Sequence, residues 1–420
     1  MSDAEKESHH YDVVIVGGGL VGASLALLLA ESSLSVAVIE AQAPEINFPN
    51  ADAPFSPRVS ALTAGSKQLL EHIGVWSAVA ETRYCPFQGM CVWDADGSGE
   101  ITFSARDVGV SALGYIVENS VVIAALYQRL AQTENIFLYS PASIETLTVD
   151  ESGNHQLILR DGQQVSGSLL VGADGGQSRI REYANIPVRE KGYSQSAIVT
   201  TVKIAGSHQC TAWQRFLPTG PLAFLPLLTS SLEENYCSIV WSLDSAAAEE
   251  QLALSDSEFK TSLARAFECR LGEIIELDKR YSFPLMQRHA ESYYRDRMVL
   301  VGDAAHTIHP LAGQGVNLGL MDAGVLAEEL IRASARGLEI YHESVLARYQ
   351  RRRVGENQLM LMTVRGFKEL FGQTDLFARW IRSTGMSWVN RLAPVKQQIV
   401  ERAMGLSGDL PEIARRSSRG

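Results

Sequence analysis

No apolar run in this chain reaches the roughly 18 residues that a membrane-crossing helix needs, so no spanning segment is expected. The opening MSDAEKESHH is polar and has no apolar signal core. Cysteine is scarce. Cys85, Cys91, Cys210, Cys237 and Cys269 are scattered and form no C-x-x-C pair. That pattern argues against a zinc knuckle or a redox disulfide and suits reduced thiols in the cytoplasm. Positive charge is in deficit: 37 Lys and Arg stand against 48 Asp and Glu, for a net charge of −11. Such an acidic balance disfavours nucleic acid as the main partner. Internal repeats and long low-complexity linkers are absent as well.

What is present reads as globular. The chain has 420 residues, 46% hydrophobic and 20% charged. That length suits two domains or one domain with a large insertion. Charge is unevenly spread: residues 341–420 hold 14 Lys and Arg against 7 Asp and Glu. This basic C-terminal part suits an anionic membrane surface or an acidic partner, although a solvated helical face is the commoner use of such charge.

Three glycine-containing segments carry the chemistry. The strand YDVVIV (11–16) enters Gly17-Gly18-Gly19-Leu20-Val21-Gly22, then a helical run from Ala23 and a second strand ending at Glu40. In such a G-x-G-x-x-G turn Gly17 permits the tight bend, Gly19 lets backbone approach a pyrophosphate, and Gly22 lets helix and strand pack closely. Glu40 is placed to bind ribose hydroxyls, and its charge disfavours a 2′-phosphate. Far along the chain, VLVGDAAHTIHPLAGQGVNL (299–318) reads as a strand ending in Gly302-Asp303, a loop, and a helix starting near Gly313-Gln314-Gly315. A carboxylate at a strand end grips ribose-type hydroxyls, and a glycine-rich helix start offers backbone N–H groups to a flat anionic ring. Between them, Val165–Val171 leads into Gly172-Ala173-Asp174-Gly175-Gly176. An Asx-turn is the plain alternative for Asp174.

The pattern predicts helices over Thr63–Val79, Ser120–Gln132 and Ser255–Ala266, the last capped by Ser255 and Glu258. From near Pro187, strands over 197–204, 211–217, 222–227 and 236–243 form an antiparallel sheet that walls a pocket. After Gly313 the chain reads as helical almost to its end. NAD and FAD both fit the first glycine loop. One complete fingerprint, a site assembled from distant segments, and the Gly313–Gly315 helix start favour FAD.

With these motifs in place, the chain resembles the group A flavoprotein aromatic hydroxylases, of the p-hydroxybenzoate hydroxylase type, over nearly its whole length. Ser56-Pro-Arg58-Val-Ser60-Ala-Leu, Glu118-Asn119-Ser120 and GDAAHTIHPLAGQGVNLG are similar to the ubiquinone-biosynthesis hydroxylases, 2-polyprenylphenol hydroxylases above all. The resemblance implies an α/β fold: a Rossmann-like FAD-binding domain with an inserted, mainly antiparallel β-sheet substrate domain and a helical C-terminal region. It divides the chain into FAD-binding segments 1–85, 104–186 and 284–372, substrate-domain segments 86–103 and 187–283, and a helical region 373–420. It implies that Glu40 binds the adenosine ribose, Asp303 the ribityl–pyrophosphate region, and Asp174 a place near FAD and the NAD(P)H approach. Arg58 is then expected by the pyrophosphate or the nicotinamide nucleotide, and Asn119 near the flavin. Pro310, Gly313, Gln314, Gly315, Val316 and Asn317 are expected to line the flavin ring.

The implied reaction uses NADH or NADPH to reduce FAD, then O2 to form a flavin C4a-hydroperoxide that hydroxylates a prenylated phenol. Tyr193, His289 and Tyr115 are the candidates for the base that activates the phenol. His306 and His309 are read as loop hydrogen-bonders rather than metal ligands, since no further ligands cluster locally, and no metal is expected. The apolar stretch FLPTGPLAFLPLL (216–228) suits a greasy substrate, and core packing explains it equally well. Trp380 and Trp388, among Arg379, Arg382, Arg391 and Lys396, suit an interfacial face, with helix packing as the plain alternative. A cytoplasmic protein is expected, held peripherally at the inner membrane face or in a biosynthetic complex. Competing readings are a flavin hydroxylase for a small soluble phenol and a FAD-holding scaffold subunit. A halogenase is disfavoured by the lack of W-x-W-x-x-P.

Overall fold

The computed structural model describes residues 8–51, 53–95, 99–307, 315–372, 404–405 and 408–415. Its organising element is a mostly parallel sheet. In spatial order the strands are Tyr294–Arg295, Met298–Leu300, Gln164–Gly172, Ser8–Val16, Val36–Ile39 and Ile136–Tyr139. Strands 8–16, 36–39, 136–139, 164–172 and 298–300 run parallel, so their carboxyl ends share one edge. Val13–Val16, Val36–Ile39, Leu169–Val171 and Met298–Leu300 are apolar runs with almost no exposure, as expected of strands covered on both faces, whereas the edge strand Ile136–Tyr139 leaves Phe137 and Leu138 exposed. The chain leaves Ser8–Val16 to one side for Val36–Ile39 and returns on the other side at Gln164–Gly172. This switch of direction opens the crevice where open α/β sheets bind ligands.

Helix α1 (Leu20–Leu29) follows the first strand and is almost wholly buried. The single helix predicted over Thr63–Val79 is two: α2 (Ala64–His72) and α3 (Trp76–Thr82). Gly74 separates them at φ +74, a left-handed turn that ends the first helix. Thr63 caps α2 by accepting from Ser66 N at 3.2 Å. Helix α4 (Asn119–Leu130) packs on α1, and α5 (Arg179–Tyr183) follows the Asp174 turn.

The second sheet is larger and mainly antiparallel. Its order is His306–Thr307, Tyr281–Ala290, Val188–Ile204, Tyr236–Asp244, Gly220–Leu227, Thr211–Leu217, Gly89–Asp94 and Glu100–Ser104. Helices α6 (Ser245–Ala253) and α7 (Asp256–Ala266) follow its Tyr236–Asp244 strand, and Ala248, Phe259 and Leu263 pack against Ile198, Phe224, Ile239 and Trp241 on one face. The Ser255–Glu258 capping box of α7 forms as the sequence predicts. The opposite face carries Ala212, Ala223, Leu225 and Leu227 against Cys85 and Ile116. At its far end Phe216 meets Leu318 and Leu361. Those two come from α8 (Gly315–Ala335) and α9 (Glu343–Gly372), the two α-helices that the described residues show within the predicted C-terminal helical run; near the end, 408–415 hold only a 3-10 turn, Glu412–Ala414. Trp380, Trp388, Arg379, Arg382, Arg391 and Lys396 lie outside the described residues. Among the described residues no helix is long and apolar enough to cross a membrane.

Candidate FAD site

The predicted motif residues gather at the carboxyl edge of the parallel sheet. Gly17 sits at φ +104, where an added Cβ would lie 2.3 Å from Ala173 O. A Cβ on Gly22 would lie 1.9 Å from Gly17 O. Both positions are therefore closed to any side chain, and they lock the glycine loop against the Asp174 turn. Gly19 is different: a Cβ there would meet open space. It starts α1 with no side-chain cap, so the first N–H groups of the helix remain free for an anion. Glu40, at the end of the neighbouring strand, accepts from Gly18 N at 2.7 Å and from Gln42 N at 2.8 Å. These bonds fix the carboxylate beside the loop and leave it lone pairs for hydroxyls.

The Gly302–Ala304 turn approaches from the other side. Gly302 takes φ +60 and lies against Val21 of α1. Gly319 of α8 touches the same valine, and a Cβ there would come within 2.6 Å of Val21 Cγ2 and 3.2 Å of Gly302 Cα. The start of α8 is thereby drawn to the start of α1. A Cβ on Gly315, the first residue of α8, would meet nothing within 4 Å among the described residues. The turn links the two sheets, since Met298–Leu300 belongs to the first and His306–Thr307 to the second.

Asp303 is accessible to solvent yet enclosed by protein. That enclosure raises its carboxyl above the ordinary value, aided by Asp322 and opposed by His306, Arg288 and Arg58. Arg58 is exposed, with its guanidinium 5.1 Å from the Phe283 ring centroid. Asp174 caps α5, accepting from Arg179 N at 2.8 Å and Ile180 N at 3.2 Å through Oδ2. Its Oδ1 is buried without a partner among the described residues. Tyr127 Oη, pressed against Gly18, is a second such atom. Asn119 accepts from Ser60 Oγ at 2.7 Å, and its N–H donates to Arg58 O at 3.0 Å. The SPRVSAL and ENS motifs are thus neighbours in one small sheet, with Val59 opposite Glu118.

Asn317 has a structural use. Its Oδ1 accepts from Thr63 N at 2.9 Å and Ser66 Oγ at 2.7 Å, and its Nδ2 donates to Ala61 O at 2.8 Å. The side chain clamps α8 to α2, so only the backbone there is free to face a ligand. Val316 is partly buried against the main core. Pro310, Gly313, Gln314 and His309 lie outside the described residues.

Several contacts that no motif announced hold this arrangement. Arg181, buried, donates to Ala304 O at 2.9 Å and Gly176 O at 3.0 Å, tying the Asp174 turn to the Asp303 turn. Beneath the latter, Asp322 accepts from Gly302 N at 3.0 Å, from Arg353 Nε at 2.7 Å and from His306 Nε2. Burial pushes this carboxyl up, but His306 and Arg353 more than reverse it and hold it at about 2. Asn357 continues the network from Asp322 and Arg353 to Tyr293 Oη at 3.1 Å, and Tyr293 meets His289 Nε2 at 3.2 Å. Glu118 forms a buried pair with Arg83 at 2.6 Å and accepts from Ser56 N at 2.6 Å. Only ion-pair partners of opposite sign on distant segments signalled these contacts, and a single sequence does not reveal which partners meet.

Of the candidate bases, Tyr115 packs edge-on against Trp76, 5.3 Å between centroids, inside an aromatic cluster with Tyr84. Burial lowers the pKa of His289, and His306 and Arg189 lower it further against the opposing charge of Asp322. Tyr193 falls in the register shift of the strand Val188–Ile204.

The residues present fit an extended dinucleotide. The start of α1 is open, two acids stand at strand ends on either side of the glycine loop, and a buried carboxylate oxygen and a buried hydroxyl lack partners among the described residues. Fold and site together define an FAD-dependent monooxygenase of the p-hydroxybenzoate hydroxylase type. The chain belongs to the family whose model, described as an FAD binding domain, matches residues 10–357. It is 37% identical to the 3-demethoxyubiquinol 3-hydroxylase of Escherichia coli, over 94% of this chain and 98% of that one. It is 38% identical to the ubiquinone hydroxylase UbiL of Rhodospirillum rubrum, over 94% and 89%. Among solved structures, p-nitrophenol 4-monooxygenase PnpA of Pseudomonas putida has the same fold, with a TM-score of 0.76 at 19% identity over 94% and 98% of the two chains.

Proposed function

We propose that this enzyme hydroxylates the aromatic ring of a polyprenylated phenol in ubiquinone biosynthesis, with NADH or NADPH and O2 as co-substrates. The observation that carries this reading is near full-length identity of 37–38% to two bacterial ubiquinone-pathway hydroxylases. When bound, FAD supplies hydride acceptance and oxygen activation. The protein supplies position. On this reading Gly17, Gly19 and Gly22 cradle the pyrophosphate and Glu40 the adenosine ribose. Asp303 takes the ribityl–pyrophosphate region, while Asp174, Arg58 and Asn119 face the flavin and the nicotinamide approach. Pro310 and the backbone of 313–317 border the ring. On this reading the large sheet, whose face of Ala212, Ala223, Leu225 and Leu227 packs on Cys85 and Ile116, borders the substrate and helps to exclude water from the reacting centre. Segments 1–85, 104–186 and 284–372 then serve FAD, and 86–103 with 187–283 serve the substrate.

The test is NAD(P)H oxidation by the FAD-loaded protein with and without a short-chain 2-prenylphenol, with mass spectrometry of the product. A substrate-stimulated rate and a product one oxygen heavier support the reading, and the product's regiochemistry assigns the ring carbon. Activity on simple soluble phenols alone moves the assignment to a soluble-substrate hydroxylase. Peripheral membrane attachment through the basic C-terminal part belongs to the same proposal. It requires binding to anionic liposomes at low salt that weakens as salt rises.

A further inference from the structure

The excursion after Glu40 is long and irregular: residues 41–51 and 53–58 contain no helix or strand. In a compact domain a connection of that length is usually a functional loop. Its last residue is Arg58, and a buried ion pair holds the backbone that leads there. Arg83 precedes the strand Cys85–Phe87, and Glu118 ends the strand Gly114–Glu118. Cys85 lies opposite Ile116 in an antiparallel ladder, so continuing that register by two places sets Arg83 opposite Glu118. Both side chains are buried. They meet as a two-pronged pair, Nε to Oε1 at 2.6 Å and Nη2 to Oε2 at 3.0 Å.

We propose that the Arg83–Glu118 pair is a positioning unit for Arg58: it fixes the backbone of 53–58 so that the Arg58 guanidinium stands ready to grip a nucleotide pyrophosphate. The role rests on Arg58 serving the cofactor, as proposed for this site.

The pair holds the loop residue by residue. Arg83 Nη1 donates to Ala53 O at 2.8 Å and Nη2 to Pro54 O at 3.1 Å. The guanidinium also lies over the Phe55 ring, 4.4 Å from its centroid. Glu118 Oε2 accepts from Ser56 N at 2.6 Å. Asn119, the next residue, donates its N–H to Arg58 O at 3.0 Å. Between these anchors Pro57 fixes its own φ. Phe55 in turn meets Tyr236 of the large sheet, 5.7 Å between centroids. The backbone thus reaches Arg58 with little freedom, while the Arg58 side chain is exposed. Its guanidinium is 5.1 Å from the Phe283 centroid, and its charge opposes the rise in the Asp303 carboxyl.

A buried ion pair is weak evidence for stability, because apolar residues of like volume often serve a core as well. An apolar pair could not offer a planar fork of donors and two acceptor oxygens to successive groups of a loop. Lysine at 83 keeps the charge but is a point donor, unable to hold Glu118 and two carbonyls together.

The test is a double-mutant cycle in the FAD-loaded full chain, with Arg83→Lys, Arg58→Ala and the double variant. Two constants are read: the Kd for FAD, and the NAD(P)H concentration that half-saturates anaerobic flavin reduction. Neither needs the phenol. The first reports Arg58 on the FAD pyrophosphate, the second on that of the nicotinamide nucleotide. Arg83→Lys is expected to raise one of them roughly tenfold, with faster hydrogen exchange at the amides of 53–58 and unchanged far-UV circular dichroism. The double variant is expected to match Arg58→Ala alone, since the pair then has nothing left to position. Effects that multiply in the double variant, or wild-type constants in Arg83→Lys, overturn the proposal and leave Arg58 at the cofactor. Wild-type constants in Arg58→Ala overturn it as well and remove Arg58 from the cofactor site, so the single variant tells the two failures apart. If Arg83→Lys does not fold, Phe55→Leu takes its place in the cycle with the same outcomes, since it loosens the loop and leaves the ion pair intact.

Discussion

At the scale of single residues, the site rests on a few carboxylates whose partners are already in place. Glu40 is one. Its bonds to Gly18 N and Gln42 N keep the charge beside the loop before any ligand arrives. A hydrogen bond to a charged group is worth about 1.5–3 kcal/mol. Glu40→Gln is therefore expected to weaken FAD about 10- to 100-fold in a flavin-fluorescence titration, with unchanged far-UV circular dichroism. Wild-type FAD affinity in that variant would remove Glu40 from the cofactor site.

Asp322 has a different task. It is fully buried and shared among His306, Arg353, Asn357 and Gly302 N. Asp322→Asn leaves the Arg353 guanidinium buried without its countercharge, a loss of about 3–5 kcal/mol. Guanidinium denaturation of the FAD-loaded protein measures it. The carboxyl falls from an ordinary 3.8 to about 2 on folding. Its stabilisation is thus complete above pH 4 and is lost as pH falls toward 2, a dependence the Asn variant lacks.

At the scale of elements, the site depends on how closely two helix starts approach. The contact of Gly319 and Gly302 with Val21 has no room for another carbon. Gly319→Val forces α8 away from α1 and opens the crevice floor, and overpacking of this kind costs about 1–3 kcal/mol. The expected outcome is a lower Tm together with a clear loss of bound flavin. A variant with a normal flavin-to-protein absorbance ratio would show that the two helices need not touch. The elements themselves were largely legible. Alternating or continuous apolar runs gave the strands, and the Ser255–Glu258 pair gave the α7 cap. The break at Gly74 was not legible as such, because a lone glycine inside an apolar helical pattern carries no label for left-handed geometry.

At the scale of the whole molecule, His155 and His208 are buried and His289 half-buried, in separate places. His155, His208 and His289 all have pKa values lowered first by desolvation. Unfolded, each takes up a proton near pH 6.5, whereas folded each resists it. The unfolded chain therefore binds more protons just below that pH, and stability falls as pH drops through 6.5. Thermal denaturation at pH 7.5 and 5.5 is expected to show a lower Tm at the acid value, and replacing the histidines by glutamine is expected to flatten the difference. An unchanged Tm across that interval would mean the histidines are hydrated in solution.

The amino-acid sequence by itself determined the glycine loop, Glu40, the Asp174 and Asp303 turns and the choice of FAD. Those features are local: a turn needs glycine where its own backbone must bend, and an acid at a strand end is adjacent in sequence to the strand that places it. Tertiary structure alone decided which distant charges meet. Arg181 joining two turns, Asp322 beneath Gly302, Asn317 clamping α8 to α2 and His208 beside Cys210 and Glu234 all join residues from separate segments. Their pairing follows from the turn that links the two sheets and from the contact of α1 with α8, and no periodicity or spacing in a single chain encodes that.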